Sequence, residues 1–120
     1  MIHLFVYGTL RPHFRSEWGQ MMLEGAVNIG AGSTPGVMYD LGAFPAVVFA
    51  EGSDRVFGDV LRISEKQLPQ LDRYEGHPHL FERREVTVLT TNGEMQCQAY
   101  EWAYPKKFSE GEKVPSGVWS

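Results

Sequence analysis

The segment 83–102 constrains the fold of this chain more than any other stretch. Asn92-Gly93 lies there between two runs rich in β-branched residues. This dipeptide is the strongest two-residue indication of a β-hairpin and is typical of a type I′ turn. The register that such a turn sets places Val88 opposite Cys97 on an apolar side of the hairpin. The segment therefore predicts a pair of antiparallel strands.

The open end of this predicted hairpin carries opposite charges. The same register places Arg84 opposite Glu101, on the side that holds Val88. The pair is either a surface salt bridge, which contributes under ~1 kcal/mol, or part of a functional site. The surface salt bridge is the preferred interpretation.

Short apolar runs bounded by glycine or proline predict the remaining strands. They cover residues 2–7, 26–32, 36–40, 46–50 and 56–63. Ser16 is a plausible cap for a short helix over 16–24, and a second helix precedes Gly76. Seven short strands and two helices without strict alternation argue against a doubly wound sheet. We therefore predict an α+β fold, a small mixed β-barrel with flanking short helices.

Composition narrows the classes of function. The 120 residues predict a single domain, 1–120, which buries roughly two-thirds of its unfolded surface. A net charge of −4, from 11 basic and 15 acidic residues, does not suggest a nucleic-acid-binding protein. Cys97 is the single cysteine, and no apolar stretch resembles a signal peptide or a membrane span. These features predict a cytoplasmic protein that binds neither nucleic acid nor membrane.

The second helix places a glutamate where it is poorly suited to stability. Leu68, Leu71 and Glu75 fall on one stripe at helical spacing, and Gly76 ends the helix. Pro69 then takes the first helical position after a tight turn at 64–67. An inward-facing carboxylate at the negative end of a helix is disfavoured by burial and by the dipole, and both raise its pKa. Glu75 is thus a candidate acid/base; the alternative is a solvated glutamate in the last turn.

The loop after the first strand is a candidate anion site. A glycine at a strand end, here in Tyr7-Gly8-Thr9-Leu10, allows a sharp turn that leaves successive N–H groups unpaired. Such a set of amides binds a carboxylate or a phosphate. The alternative is a purely structural turn, because strand–Gly–Thr loops are common.

The histidines and the cysteine give weaker indications of a functional site. His77 and His79 flank Pro78 without a third ligand at suitable spacing, so we predict no metal site there. Cys97 lies on the apolar side of the hairpin and is expected to be a core thiol and not a nucleophile.

Several segments in order resemble one protein family. They are Tyr7-Gly8-Thr9-Leu10, then 39–46, Gly58-Asp59-Val60, 71–76 and 81–88, followed by Gly117-Val118-Trp119. Together they resemble the γ-glutamylcyclotransferase-like family, which includes the AIG2-like proteins and the γ-glutamylamine cyclotransferases. The resemblance runs from residue 3 to about residue 102.

The resemblance implies a fold and an activity. The fold is a small mixed β-barrel with flanking helices. Family enzymes release 5-oxoproline from a γ-glutamyl compound when the α-amine attacks the γ-carbonyl, a ring closure of acyltransferase or lyase type. The glutamate of the LD-x-x-EG segment, here Glu75, is the acid/base. Backbone amides of Tyr7, Gly8, Thr9 and Leu10 hold the glutamyl group. The partner is a small γ-glutamyl substrate, and no metal or cofactor is required.

One departure and two alternatives accompany this assignment. Phe81 stands where the family often has tyrosine, so a hydroxyl is absent. The first alternative is a non-catalytic barrel that binds a small carboxylated metabolite. The second is removal of a γ-glutamyl protecting group from a biosynthetic intermediate. The leaving group is open among an amino acid, a lysine side-chain amine, a peptide and a carrier-bound chain.

Overall fold

The computed structural model describes residues 1–12, 15–103 and 112–119. In these residues the chain forms seven strands and two α-helices, as the sequence predicts. In chain order they are β1 (Ile2–Val6), α1 (Glu17–Met22), β2 (Val27–Pro35), β3 (Val37–Asp40), β4 (Pro45–Val48), β5 (Arg55–Ile63), α2 (Leu68–Glu75), β6 (Phe81–Thr90) and β7 (Gly93–Trp102). Within the described ranges, neither helix has the length and apolar character needed to cross a membrane.

Five of the strands close into a barrel in the order β1-β5-β2-β6-β7. β1 pairs antiparallel with β5 and parallel with β7, where Leu4 lies opposite Gln98. β3 and β4 form a separate two-stranded sheet. The barrel is therefore mixed, and the predicted α+β fold class is confirmed.

The first strand is buried on both faces. Phe5 belongs with Val60 to the cluster that fills the barrel. Its neighbours Leu4 and Val6 belong to a second cluster, which includes Leu71 of α2. Because successive side chains of a strand point to opposite faces, a strand between two cores needs apolar residues at every position. This requirement explains the apolar run from Leu4 to Val6, the buried part of the strand.

The predicted register of the hairpin is wrong by two residues. Val88 lies opposite Met95, and Cys97 lies opposite Val86. The reason is the turn: Thr91 and Asn92 form its centre, and Gly93 follows with φ of 98° as the first residue of β7. Asn92 does not adopt the positive φ that a type I′ turn requires. Since the shift is an even number of residues, the apolar side chains keep the buried face.

A threonine hydroxyl stabilises this alternative turn. Thr90 Oγ1 accepts a hydrogen bond from the Asn92 N–H at 3.1 Å and donates one to the Gly93 carbonyl at 2.8 Å. The Thr90 side chain thus holds both ends of a tight turn, whereas the Asn92-Gly93 dipeptide alone predicts a type I′ turn.

The opposite charges at the open end of the hairpin still meet. Arg84 Nη1 lies 3.2 Å from Glu101 Oε1, although the two residues are diagonal and not directly opposite. Glu101 Oε2 also accepts a hydrogen bond from the Phe49 N–H at 2.7 Å. The arginine is largely exposed, and the glutamate joins β7 to the end of β4. This pair therefore has a structural role.

The predicted helix boundaries agree with the structure to within two residues. Ser16 Oγ accepts a hydrogen bond from the Gly19 N–H at 3.2 Å at the start of α1. Ser64 and Gln67 form a reciprocal capping box before α2, and Pro69 is the second helical residue, one position later than predicted. Gly76 ends α2 with φ of 67°, which places Glu75 as the last helical residue.

Near the C-terminal end of the described residues, the chain packs tightly against β5. The Gly117 carbonyl accepts a hydrogen bond from the Phe57 N–H at 2.9 Å. Gly117 has φ of 68°, and a Cβ there would lie 1.8 Å from the Arg55 carbonyl oxygen. Trp119 is partly buried against the barrel core.

Replacing Gly117 with alanine is expected to reduce the free energy of unfolding by about 3 kcal/mol or more, because the new Cβ collides with backbone. The control is Gly25→Ala. Gly25 also has positive φ, of 83°, but no atom lies within 4 Å of its Cβ position. Only the backbone conformation is unfavourable there, at a cost of about 1 kcal/mol. Urea denaturation measures both losses, and equal values would contradict the collision.

Candidate active site

A cavity of about 230 Å³ opens where β1 ends beside the C-terminus of α2. The residues that the sequence predicts for the site all line it: Tyr7, Gly8, Thr9, Leu10 and Glu75. The loop between β3 and β4 completes the wall with Ala43 and Phe44. The structure therefore brings the glycine loop and the glutamate into one recess.

The loop after β1 presents free backbone donors. Its turn is closed by a hydrogen bond from the Arg11 N–H to the Gly8 carbonyl at 3.0 Å. Within the described ranges, the N–H groups of Gly8, Thr9 and Leu10 donate to no backbone carbonyl or side chain. A Cβ on Gly8 would lie 2.8 Å from Pro45 Cγ, so a larger residue does not fit without a shift. These donors can bind an anion.

Two arginines hold this loop in place. Arg11 Nε lies 2.8 Å from Asp59 Oδ2, and that carboxylate is buried on β5. Arg15 Nε donates to the Leu10 carbonyl at 2.8 Å. The guanidinium groups thereby fix the loop, and neither arginine lines the cavity.

Glu75 is partly buried at the edge of the cavity. Its carboxyl forms no hydrogen bond or ion pair with any other described residue. Burial raises the pKa of Glu75 from 4.5 to about 7, because the charged form loses water without gaining a partner. A carboxyl with this pKa both accepts and returns protons near neutral pH.

Tyr7 lines the cavity, but its side chain belongs to the barrel core. The hydroxyl donates a hydrogen bond to the Tyr100 carbonyl, and the ring packs among apolar residues such as Phe5 and Phe49. Burial raises the pKa of Tyr7 well above its usual value, and the charges of Glu75 and Glu101 add to that rise. Any contact of Tyr7 with a bound molecule is therefore through its backbone.

The sequence reasoning missed a polar cluster beside the glutamate. Asp72 lies one helical turn before Glu75 and accepts hydrogen bonds from Arg83 Nε at 2.9 Å and Arg83 Nη2 at 3.3 Å. The Tyr100 hydroxyl donates to the same carboxylate at 2.6 Å. Although burial alone would raise it, hydrogen bonds from Arg83 and Tyr100 hold the pKa of Asp72 below its usual value. The spacing of Asp72 and Glu75 on one helix face was a usable indication.

The mouth of the cavity is apolar. Tyr74 and Leu80 line it and are 42% and 40% exposed. Phe81 is buried in the wall, where its ring lies 5.9 Å from that of Phe44. Among the described residues that line the cavity, Glu75 is the one with a charged side chain.

The other reactive side chains lie elsewhere or have structural partners. His77 Nδ1 accepts a hydrogen bond from the Arg83 N–H at 3.0 Å. In the described part of the chain no three histidine, cysteine or carboxylate side chains are grouped to hold a metal ion. Cys97 is buried in the barrel core, and burial raises its pKa to about 11. This confirms the prediction of a core thiol.

The sequence is similar to those of several known proteins. Residues 4–120 match the family described as gamma-glutamyl cyclotransferase, AIG2-like. A Methanocaldococcus jannaschii protein named "Putative gamma-glutamylcyclotransferase" is 34% identical over 98% of this chain and 94% of that protein. The gamma-glutamylaminecyclotransferase of Bos taurus is 30% identical over 88% of this chain and 68% of that protein.

Solved structures share the fold. An AIG2-like protein of Mus musculus superposes with a TM-score of 0.81 at 23% identity, covering 100% of this chain and 88% of that chain. A Bacillus subtilis protein superposes with a TM-score of 0.78 at 27% identity over 98% of this chain. The chain spans 39% of the length of that second protein.

The Glu75→Gln variant is expected to be more stable than the wild type at pH 8. The unfolded carboxyl ionises near 4.5 and the folded one near 7, so wild-type stability falls as pH rises between these values. Glutamine does not titrate, and its advantage grows from pH 5 to pH 8, reaching about 1–3 kcal/mol. Urea denaturation at the two pH values measures it. Glu85→Gln, at an exposed position of β6, is the control, and a pH-independent difference for Glu75→Gln would contradict the burial of this carboxyl.

Proposed function

The chain belongs to the gamma-glutamyl cyclotransferase, AIG2-like family, and on that premise we propose that it releases 5-oxoproline from a γ-glutamyl compound. The observation that carries the proposal is the shared cavity. Glu75, with a pKa near 7, and the Gly8 loop, with its free N–H groups, line the same recess. One supplies the proton transfer and the other the anchor for the substrate.

The loop suits the glutamyl head group. Its α-carboxylate is an anion, and the N–H groups of Gly8, Thr9 and Leu10 are donors without partners in the described part of the chain. The cavity of about 230 Å³ is smaller than the ~300–1,000 Å³ typical of drug-sized ligands. It therefore suits the head group alone, with the rest of the substrate extending through the mouth.

Glu75 acts twice in the proposed reaction. Its carboxylate takes a proton from the substrate α-ammonium, because only the neutral amine can attack. The amine nitrogen bonds to the γ-carbonyl carbon, and the carbonyl electrons move to oxygen. When that tetrahedral intermediate collapses, the bond to the leaving nitrogen breaks and Glu75 returns the first proton to it. The ring nitrogen gives its second proton to the departing amine, which leaves as an ammonium. The products are 5-oxoproline and a free amine, so no water or cofactor is consumed.

Position supplies much of the rate. The attacking amine and the γ-carbonyl belong to one molecule, so the loop only has to hold the chain in its folded conformation. Backbone donors not used by the α-carboxylate can stabilise the developing oxyanion. Phe81 offers no hydroxyl for that purpose, which leaves these tasks to the loop and Glu75.

The mouth of the cavity favours one kind of leaving group. Tyr74 and Leu80 are exposed there, and no cationic side chain lines the cavity in the described residues. A leaving amino acid would place its carboxylate at this mouth, where the apolar side chains displace part of its water and no described cationic side chain attracts it. We therefore propose an amine with a hydrocarbon stem, and the name of the bovine relative agrees with this class.

The Glu75→Gln variant is expected to lose 5-oxoproline release by about 100-fold or more, since it removes the proton-transfer group. A screen of γ-glutamyl compounds with chromatographic detection of 5-oxoproline measures the loss. Glu85→Gln is the control and is expected to retain activity. The variant should remain folded and bind 5-oxoproline. Substantial turnover by Glu75→Gln would refute the role of this residue. Equal ligand binding by both proteins, without turnover of any γ-glutamyl compound by the wild type, would favour the non-catalytic barrel.

A matched pair of substrates tests the leaving group. γ-Glutamylisobutylamide and γ-glutamylvaline differ only in the carboxylate beside the scissile nitrogen. We expect kcat/KM to be about 10-fold higher for the amide, equivalent to ~1.4 kcal/mol of transition-state free energy. Leu80→Lys, which adds a cation at the mouth, should narrow the difference. A preference of the wild type for γ-glutamylvaline would contradict the proposal.

A further inference from the structure

The two halves of the site are connected by side chains that the proposed reaction does not use. Asp72 on α2 accepts hydrogen bonds from Arg83 of β6 and from Tyr100 of β7. The Tyr100 carbonyl in turn accepts the hydroxyl proton of Tyr7, the residue that precedes Gly8. A continuous series of contacts therefore runs from the helix that carries Glu75 to the loop that presents the free amides.

The contacts also hold the segment that follows the helix. Arg83 Nη1 donates to Gln98 Oε1 at 3.0 Å, which orients the guanidinium between β6 and β7. The Arg83 N–H donates to His77 Nδ1, and the His77 N–H donates to the Asp72 carbonyl at 2.9 Å. Both the last turn of α2 and the residues after it are thus fixed against the barrel.

The chemistry of these groups makes the connection stable over the working pH range. Hydrogen bonding to Asp72 raises the pKa of Arg83, so this side chain stays charged. Burial, with the hydrogen bond to Asp72, raises the pKa of Tyr100 above its usual value, so the hydroxyl stays a donor. An arginine that donates two hydrogen bonds to one carboxylate also fixes the relative orientation of the two side chains, which a single hydrogen bond does not.

We propose that Asp72, Arg83 and Tyr100 form a clasp that sets the distance between Glu75 and the Gly8 loop, with Tyr100 as the central positioning residue. The inference rests on the proposed function for its kinetic consequence. Its basis is geometric: Tyr100 lines the cavity, and its hydroxyl and carbonyl contact the two halves of the site. A change of about 1 Å in such a distance lowers a rate by about 100-fold.

The clasp also bears on the protonation of Glu75, because it holds α2 against the barrel. The titratable groups that face this carboxyl are the hydroxyls of Tyr7, directly after β1, and of Tyr100 from β7. Both are neutral below their raised pKa values. Asp72 and Arg83 lie nearby as a neutralised pair. Loosening α2 would therefore act on Glu75 mainly by hydration, which lowers its pKa toward the ordinary value.

Tyr100→Phe removes one hydroxyl and keeps the ring. We expect kcat for the best γ-glutamyl substrate to fall by about 10- to 100-fold with little change in KM. The pKa of Glu75, from carbon-13 NMR titration, should fall from near 7. Thr34→Val is the matched control: it removes a buried hydroxyl that donates to the Thr87 carbonyl at 2.8 Å, outside the cavity. It should lower the melting temperature and leave kcat and the Glu75 pKa unchanged.

The outcomes separate the inference from the proposed function. The clasp would be overturned if Tyr100→Phe had the same kcat and the same Glu75 pKa as the wild type, and only lost melting temperature as Thr34→Val does. If the wild type turns over no γ-glutamyl compound, the proposed function fails, and the NMR titration still decides the positioning role. Should Tyr100→Phe not fold, Arg83→Lys decides. This variant keeps the positive charge but loses the pair of hydrogen bonds to Asp72. We expect it to lower kcat and the Glu75 pKa, as Tyr100→Phe does.

Discussion

The structure depends on the burial of β1 between two cores. This strand closes the barrel by pairing with β5 on one side and β7 on the other, and its alternate side chains enter two different apolar clusters. A slip of β1 by one residue would exchange the side chains between the two clusters, so that Phe5 would leave the barrel core and Leu4 or Val6 would replace it. The position of its last residue is therefore fixed, and with it the start of the Gly8 loop.

The fixed end of β1 positions the Gly8 loop, which is one half of the candidate site, and α2 positions Glu75, which is the other. Leu71 secures the helix in the outer cluster, and Glu75 follows one turn later at the cavity. The carboxyl has no partner among the described residues, so its burial opposes folding at neutral pH. Proteins keep such groups where activity needs a perturbed pKa, and they compensate with stability elsewhere. Here the barrel core supplies that stability.

Local patterns in the sequence were enough to predict much of this arrangement. The apolar run of β1, the phase of Leu71 and Glu75, and the glycine that ends α2 each depend on neighbours in sequence. The register of the hairpin depended on a side chain outside the Asn92-Gly93 dipeptide from which it was predicted. The Thr90 hydroxyl favours a turn in which Asn92 keeps a negative φ. The predicted register still places the apolar side chains on the buried face, because it differs from the observed register by an even number of residues.

The polar cluster was beyond local patterns for a different reason. Arg83 and Tyr100 lie 11 and 28 positions from Asp72 in sequence, and only the closed barrel brings them together. The inward direction of the Tyr7 side chain likewise follows from the strand's alternation within a barrel. Residue types predicted which groups have reactive side chains, and the topology determined which of them meet.

The separate sheet of β3 and β4 has a consequence for how this fold can diversify. The loop between these strands supplies Ala43 and Phe44 to the cavity wall, yet neither strand belongs to the hydrogen-bonded barrel. Insertions or exchanges in that loop would reshape the cavity wall while the hydrogen bonds between the barrel strands stay intact. The shape of the cavity can therefore change in this loop, independently of the barrel that positions Glu75 and the Gly8 loop.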